Sequence, residues 1–183
     1  MNRRIYVACI NNDCPAIYNY LYERLSNLFS VPFDQLHINL DMLSFYNSNR
    51  EQYDAYALIK ELLNYINDEQ SKVLGITGKD LFIPILTYVF GLGYLGGNSG
   101  IVSYYRLRNE FYGLEPNEEL LLVRTYKVIL HELGHLYGLK HCNKSWCVMY
   151  SANTIDDLDI KNDMYCIECA DHMQKSLNDQ TMV

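Results

Sequence analysis

The sequence predicts an α/β (α+β) fold: a sheet with helices packed on it over residues 1–138, then a small loop-rich lobe over 139–183. Three observations carry this expectation. Short apolar runs alternate with amphipathic segments through the first two-thirds of the chain. A long helical pattern that opens at Asn117 stops at a glycine, Gly138. Beyond that point the apolar periodicity lapses and four of the six cysteines follow. No Pro/Ser-rich linker, repeat or low-complexity tract interrupts the chain, so 1–138 and 139–183 read as two parts of one domain, 1–183.

The elements follow in order. "RIYVACI" reads as a buried first strand, and "AIYNYLYERLSNLF" as a helix with Ile17, Leu21, Leu25 and Leu28 on one face. "LHINLDML" is the second strand. In "SNREQYDAYALIKELLNYINDE" Ser48 and Glu51 stand at capping-box spacing. The stripe Ala55, Ile59, Leu62, Leu63 and Ile66 then predicts one long amphipathic helix. "KVLGIT" and "LFIPILTYVF" are further strands, and "GIVSYYRL" is another after a glycine-rich bend. Asn117 caps the next helix, with Glu118 and Glu119 at its positive end. A last helix is expected around "YCIECADHMQKSL".

Composition narrows the function. The chain has 183 residues, about half of them hydrophobic, enough to bury one core. A net charge of -7 with scattered lysines and arginines excludes a broad basic surface for nucleic acid. Near the amino terminus two arginines precede only the apolar run Ile5 to Ile10, too short for a secretory core, and no segment is long enough to span a bilayer. The expected location is therefore the cytoplasm, with no membrane partner, and the expected state is a monomer. In a reducing compartment the cysteines point to metal binding or buried thiols rather than a disulfide framework.

"HELGHLYGLKHCNKSWCVMY" holds the chemistry. Three of the five histidines lie within residues 131–141. His131 and His135, four apart on a helix, project from one face and suit two corners of a zinc tetrahedron. Glu132 stands beside them as a general base that need not bind the ion. Gly138 lets the chain turn so that His141 approaches from the other side. Three neutral imidazoles leave one coordination position open to water, whose pKa falls from 15.7 toward about 7. That arrangement suits metal-assisted hydrolysis of an amide.

Cys142 and Cys147 form C-x4-C, and Cys166 and Cys169 form C-x2-C, a spacing close to that of structural zinc sites. In extended chain the adjacent side chains of His141 and Cys142 point to opposite faces, so they are expected to serve two ions rather than one. Cys9 and Cys14 repeat the C-x4-C spacing without a second pair and are read as plain buried cysteines.

"GLGYLG" (Gly91, Gly93, Gly96) matches G-x-G-x-x-G, which would make the protein a nucleotide-dependent enzyme. That motif requires a helix to start there, and a strand pattern follows instead, so the reading is rejected. Residues 91–100 are left with two readings: an unobstructed edge strand for an extended peptide, or a bend between strands.

Taken together, "HELGHLYGLKHC", the C-V-M of Cys147–Met149 and the C-I-E-C of Cys166–Cys169 resemble the archaemetzincins, a family within the metzincin zinc peptidases. The resemblance implies a metzincin-like mixed sheet with an active-site helix and a carboxyl-terminal lobe holding structural zinc. It implies a catalytic zinc on His131, His135 and His141, Glu132 as the base, and a peptide as the substrate. It assigns Met149, otherwise an ordinary core residue, to a Met-turn beneath the histidines, and gives a second zinc to Cys142, Cys147, Cys166 and Cys169. The rival is a zinc-stabilised peptide-binding protein with little or no turnover; Glu132, of no use to a binding module, favours the enzyme. No sequence feature identifies the substrate-binding residues.

Overall fold

The structure, a computed structural model, describes residues 4–12, 14–29 and 31–179. In chain order the elements are β1 (Ile5–Ile10), α1 (Pro15–Leu28), β2 (Phe33–Ile38), β3 (Tyr46–Asn47), β4 (Gln52–Asp54), α2 (Ala55–Leu62), β5 (Lys72–Thr77), β6 (Leu81–Ile83), β7 (Leu86–Val89), β8 (Gly91–Gly93), β9 (Ser99–Ser103), α3 (Glu118–Leu136), α4 (Ile155–Ile160) and α5 (Ile167–Asp179). The strands form a five-stranded sheet in the order β2-β1-β5-β9-β8 and a four-stranded sheet in the order β3-β4-β6-β7. In the first, β2, β1, β5 and β9 run parallel, and β8 closes the edge antiparallel to β9. The α/β fold with a mixed sheet is thus as expected.

Side-chain alternation along the parallel strands builds a core on each face of this sheet. Ile5, Val7, Leu74, Ile76 and Val102 pack with α1 and α3. Ala8, Ile10, Val73 and Ile101 point the other way and pack with Leu58, Ile59 and Leu62 of α2. Every residue of β5 is buried, as a strand covered on both faces requires. Gly75 belongs to that packing, because a Cβ there would stand 2.8 Å from Leu62 Cδ1.

Several expectations change. The helix predicted from Ser48 begins only at Ala55. Residues 48–51 are the turn between β3 and β4, and Glu51 has a positive φ of 56°, which no helix continues. The cap is Asp54, whose side chain accepts from Ala57 N. Of the stripe, Ala55, Ile59 and Leu62 are buried, while Leu63 lies exposed in a short 3-10 turn. On α1, Ile17, Leu21 and Leu25 are buried but Leu28 is exposed at the end. "LHINLDML" is only half strand, since Met42–Phe45 forms a 3-10 turn. "LFIPILTYVF" folds back on itself as the β6–β7 hairpin, and "GIVSYYRL" leaves the sheet at Ser103 for another 3-10 turn.

Cys9 and Cys14 are buried as expected but are joined to each other as a disulfide, which corrects their reading as plain thiols. The end of β1 and the approach to α1 bring their Cα atoms to 5.9 Å, within bridging range. Among the described residues no helix is long and apolar enough to cross a membrane.

Asp54→Ala should destabilise the protein by about 1 kcal/mol in chemical denaturation, the usual effect of losing an N-cap. Ser48→Ala should leave the denaturation midpoint unchanged.

Candidate functional site

Helix α3 begins as the sequence predicts, with the Asn117 side chain accepting from Leu120 N and Glu118 and Glu119 in the first turn. It ends at Gly138, which takes a positive φ of 87°. Its last two turns carry His131, Glu132 and His135 against β8. The chain then turns back, and His141 joins the other two histidines, with all three ligand atoms within 4.8 Å of one another.

The imidazoles are held by their far nitrogens. His131 Nδ1–H donates to Val148 O at 2.8 Å, and His135 Nδ1–H donates to Leu139 O at 2.8 Å. Those bonds fix the tautomer and leave both Nε2 lone pairs facing each other, 3.0 Å apart. Burial lowers the pKa of each of the three histidines, most of all His131, and the charge on Lys161 adds to it. They are neutral near pH 7, the form that binds metal. The donor set therefore fits a zinc ion and leaves it a free position.

Glu132 is buried beside this cage, and its seat is cut by glycines. A Cβ on Gly91 would lie 2.7 Å from Glu132 Cγ, and one on Gly93 2.9 Å from Glu132 O. The Gly93 N–H donates to the Glu132 carboxylate. In "GLGYLG" Gly91 and Gly93 thus serve helix-to-strand contact, while Gly96 takes a positive φ of 70° in a turn, and no helix starts there. Burial raises the Glu132 pKa to about 8, against the opposing pull of Lys161 and the Gly93 bond. Among the described residues Glu132 makes no ion pair.

Met149 is fully buried against the same turn of α3. A Cβ on Gly134 would come within 2.4 Å of Met149 Sδ, so glycine is needed for the two to meet.

The four cysteines form a second cluster, their sulfurs all within 4.8 Å. A zinc–sulfur bond of ~2.3 Å sets a tetrahedral edge of about 3.8 Å, and Cys142 Sγ and Cys166 Sγ stand 3.9 Å apart. Backbone N–H groups of Lys144 and Cys166 donate to Cys142 Sγ and Cys147 Sγ, as suits thiolates. This set also fits zinc, with no position left over. His141 and Cys142, adjacent in sequence, fall in different clusters.

Sequence reasoning missed Lys161. It is buried, and its ammonium donates to Val148 O at 3.1 Å and Tyr150 O at 2.8 Å, on either side of Met149. Helix α4, also unforeseen, places it. α4 starts with a capping box of Thr154 and Asp157. Arg124 of α3 grips Asp159 with two bonds of 2.8 and 2.6 Å, and Lys127 donates to Leu158 O and Asp159 O. A Thr-x-x-Asp capping pattern at 154–157 was the available signal for the helix; for the lysine there was none. A cleft of about 360 Å³ runs along β8 past Glu132 and the three histidines to Lys161.

Residues 29–175 match peptidase family M54. The chain belongs to that family, the archaemetzincins. The archaemetzincin of Methanocaldococcus jannaschii is 33% identical over 174 residues, 95% of this chain and 94% of its own length. That of Pyrococcus horikoshii is 39% identical over 143 residues, 75% of this chain and 76% of its own. The crystal structure of the Methanopyrus kandleri archaemetzincin superposes with a TM-score of 0.83 at 30% identity, over 97% of this chain and 96% of that one. A structure titled a zinc-dependent peptidase, from Methanocorpusculum labreanum, gives 0.83 at 30% identity, over 92% and 99%. The archaemetzincin fold and the peptidase family of this chain follow from these matches.

In the metal-free protein the buried Glu132 has a measurable consequence. Its folded pKa, about 8, lies above the ordinary 4.5, so the native state holds a proton that the unfolded chain releases. Stability should therefore fall as pH rises toward 8. The histidines, whose pKa values are lowered, destabilise only on the acid side of 6.5. Between pH 6.5 and 8 a loss on the order of 1–2 kcal/mol is expected in denaturant titrations. Glu132→Gln should flatten that slope.

Proposed function

We propose that this archaemetzincin is a zinc metallopeptidase that hydrolyses peptide bonds with Glu132 as general base. His131, His135 and His141 would hold the catalytic zinc, and Cys142, Cys147, Cys166 and Cys169 a second, structural one, two ions per chain. The observation that carries the reading is Glu132: a carboxylate without an ion-pair partner among the described residues, buried beside three converging imidazoles and lining the cleft. The relative from M. labreanum, a zinc-dependent peptidase by title, supports the choice of metal.

Zinc, when bound, polarises the scissile carbonyl, acidifies the attacking water and by its charge favours the ionised form of Glu132. Glu132 takes the proton of that water and delivers it to the leaving amine. The Gly93 N–H steadies the carboxylate between the two transfers. Met149 acts as the Met-turn floor, its sulfur filling the groove over Gly134 so that the turn bearing both histidines cannot tilt.

The cleft suits an extended chain. β8 pairs with β9 on one side only, and Phe90 O accepts from Ser103 N. Alternation in an antiparallel pair then turns the backbone groups of Gly91 and Gly93 away from β9; the Gly93 N–H is taken by Glu132, which leaves the groups of Gly91 and the Gly93 carbonyl for a peptide. A peptide would add there as a further strand. The acidic charge and scattered cations favour peptide over nucleic acid as partner; a monomer in the cytoplasm stays the expectation from the sequence, with the Cys9–Cys14 bridge an observation against that compartment. Residues 139–183 would act as a subdomain beside the α/β part, residues 1–138, in which the thiolate zinc pins the loop after His141 to the terminal helix.

Glu132→Ala should lower hydrolysis of a mixed peptide library by at least about a thousandfold, by mass-spectrometric profiling, while zinc content stays unchanged. Unchanged turnover would remove Glu132 from the mechanism. A wild type that retains peptides without cutting them would favour the binding-protein reading.

A further inference from the structure

Lys161 is a buried cation in the wall of the cleft; among the described residues no carboxylate stands within ion-pair distance of it, and Glu132 and Asp157 act on its charge only from farther off. Its exposure is 3%, and none of the ion pairs among the described residues includes it. Burying a charge without an opposite one is costly, so such a group is retained where a partner arrives from outside or where hydrogen bonds alone hold it. An ammonium has three donors. Two are used, on Val148 O and Tyr150 O. The third has no acceptor among the described residues.

The surroundings indicate what the third donor meets. Val148 O, which accepts from Lys161, also accepts from His131, so the ammonium lies immediately behind the histidine cage. The cleft that Lys161 shares with Glu132 and the three histidines is also lined by Phe90, Val128, Ala152 and Leu158. Apolar lining with a cation in the wall complements a short aliphatic chain ending in a carboxylate. A neutral polar group would leave the charge unanswered, and a basic one would be repelled. The cation is also rigid, because α4 is clamped to α3 by Arg124 and Lys127, so little ordering is required when a ligand binds.

We infer that Lys161 selects substrates by binding a peptide carboxylate next to the scissile bond, from an acidic side chain or a free carboxyl terminus. This deepens the peptidase reading and rests on it for the identity of the ligand as a peptide. It involves no chemical step: Lys161 reads the substrate and Glu132 acts on it.

The test is designed to survive a failure of turnover. Fluorescence anisotropy of labelled, uncleavable peptides measures binding to the zinc-loaded protein, with glutamate and glutamine compared at each position and a terminal acid compared with its amide. Wild type should bind the carboxylate member of one pair at least about tenfold more tightly, the factor a charge-assisted hydrogen bond supplies. A single internal position would assign an acidic side chain, and the terminal pair a free carboxyl end. Lys161→Met should bring that ratio close to one, and Lys161→Arg should keep it. Should Lys161→Met fail to fold, Lys161→Gln and the wild-type salt dependence give the same reading: the preference should shrink in Gln and weaken with added salt. Equal binding of every pair by wild type, or a preference that persists in Lys161→Met, would overturn the inference and leave Lys161 as a brace for the Met149 turn. Absence of cleavage beside an intact binding preference would instead count against the peptidase reading alone.

Discussion

One carbonyl oxygen, that of Val148, holds the functional end of this protein together. It accepts the His131 N–H from α3 and the Lys161 ammonium from the end of α4. Its own residue stands between Cys147 of the sulfur cluster and Met149 beneath the helix. Helix, turn and lobe therefore share an atom-scale junction. Shifting it would rotate an imidazole, lift the methionine and pull on a cysteine at once. The bond is buried, where an unmet carbonyl costs roughly 1–3 kcal/mol, so both donors are held firmly.

The remainder of the fold presents α3 to that junction. Because β5 is covered on both faces, the parallel sheet is fixed between α2 on one side and α1 with α3 on the other. β8 then closes the edge where α3 ends, and Gly91 and Gly93 let strand and helix approach until Glu132 fills the space a side chain would occupy. The acid group is seated by strand and helix together. That explains a buried carboxylate with no salt bridge among the described residues: its position comes from shape, and its anion is left destabilised.

What the sequence revealed was the local part of this design. Histidines four apart, a terminating glycine and paired cysteines act through helix geometry and short chain segments, so spacing alone makes them legible. The opposite facing of His141 and Cys142 was legible for the same reason. Long-range relations were not. Nothing near Lys161 in the chain tells that it returns to Val148, and nothing in "GLGYLG" names Glu132 as the group its glycines accommodate. The capping-box reading at Ser48 failed because Asp54 offers a competing cap six residues later and Glu51 takes a left-handed backbone. The Cys9–Cys14 bridge went unread because C-x4-C spacing fits a buried pair of thiols as well as a bond.

The central claim is that imidazole and sulfur donors, contiguous in the chain at 141 and 142, are divided between two separate metal centres. Anomalous diffraction at the zinc edge from crystals of the intact protein tests it most directly. The account predicts two peaks per chain, one among the Nε2 atoms of His131, His135 and His141 and one among the four cysteine sulfurs. A single peak, or one bonded to both a histidine and Cys142, would contradict it.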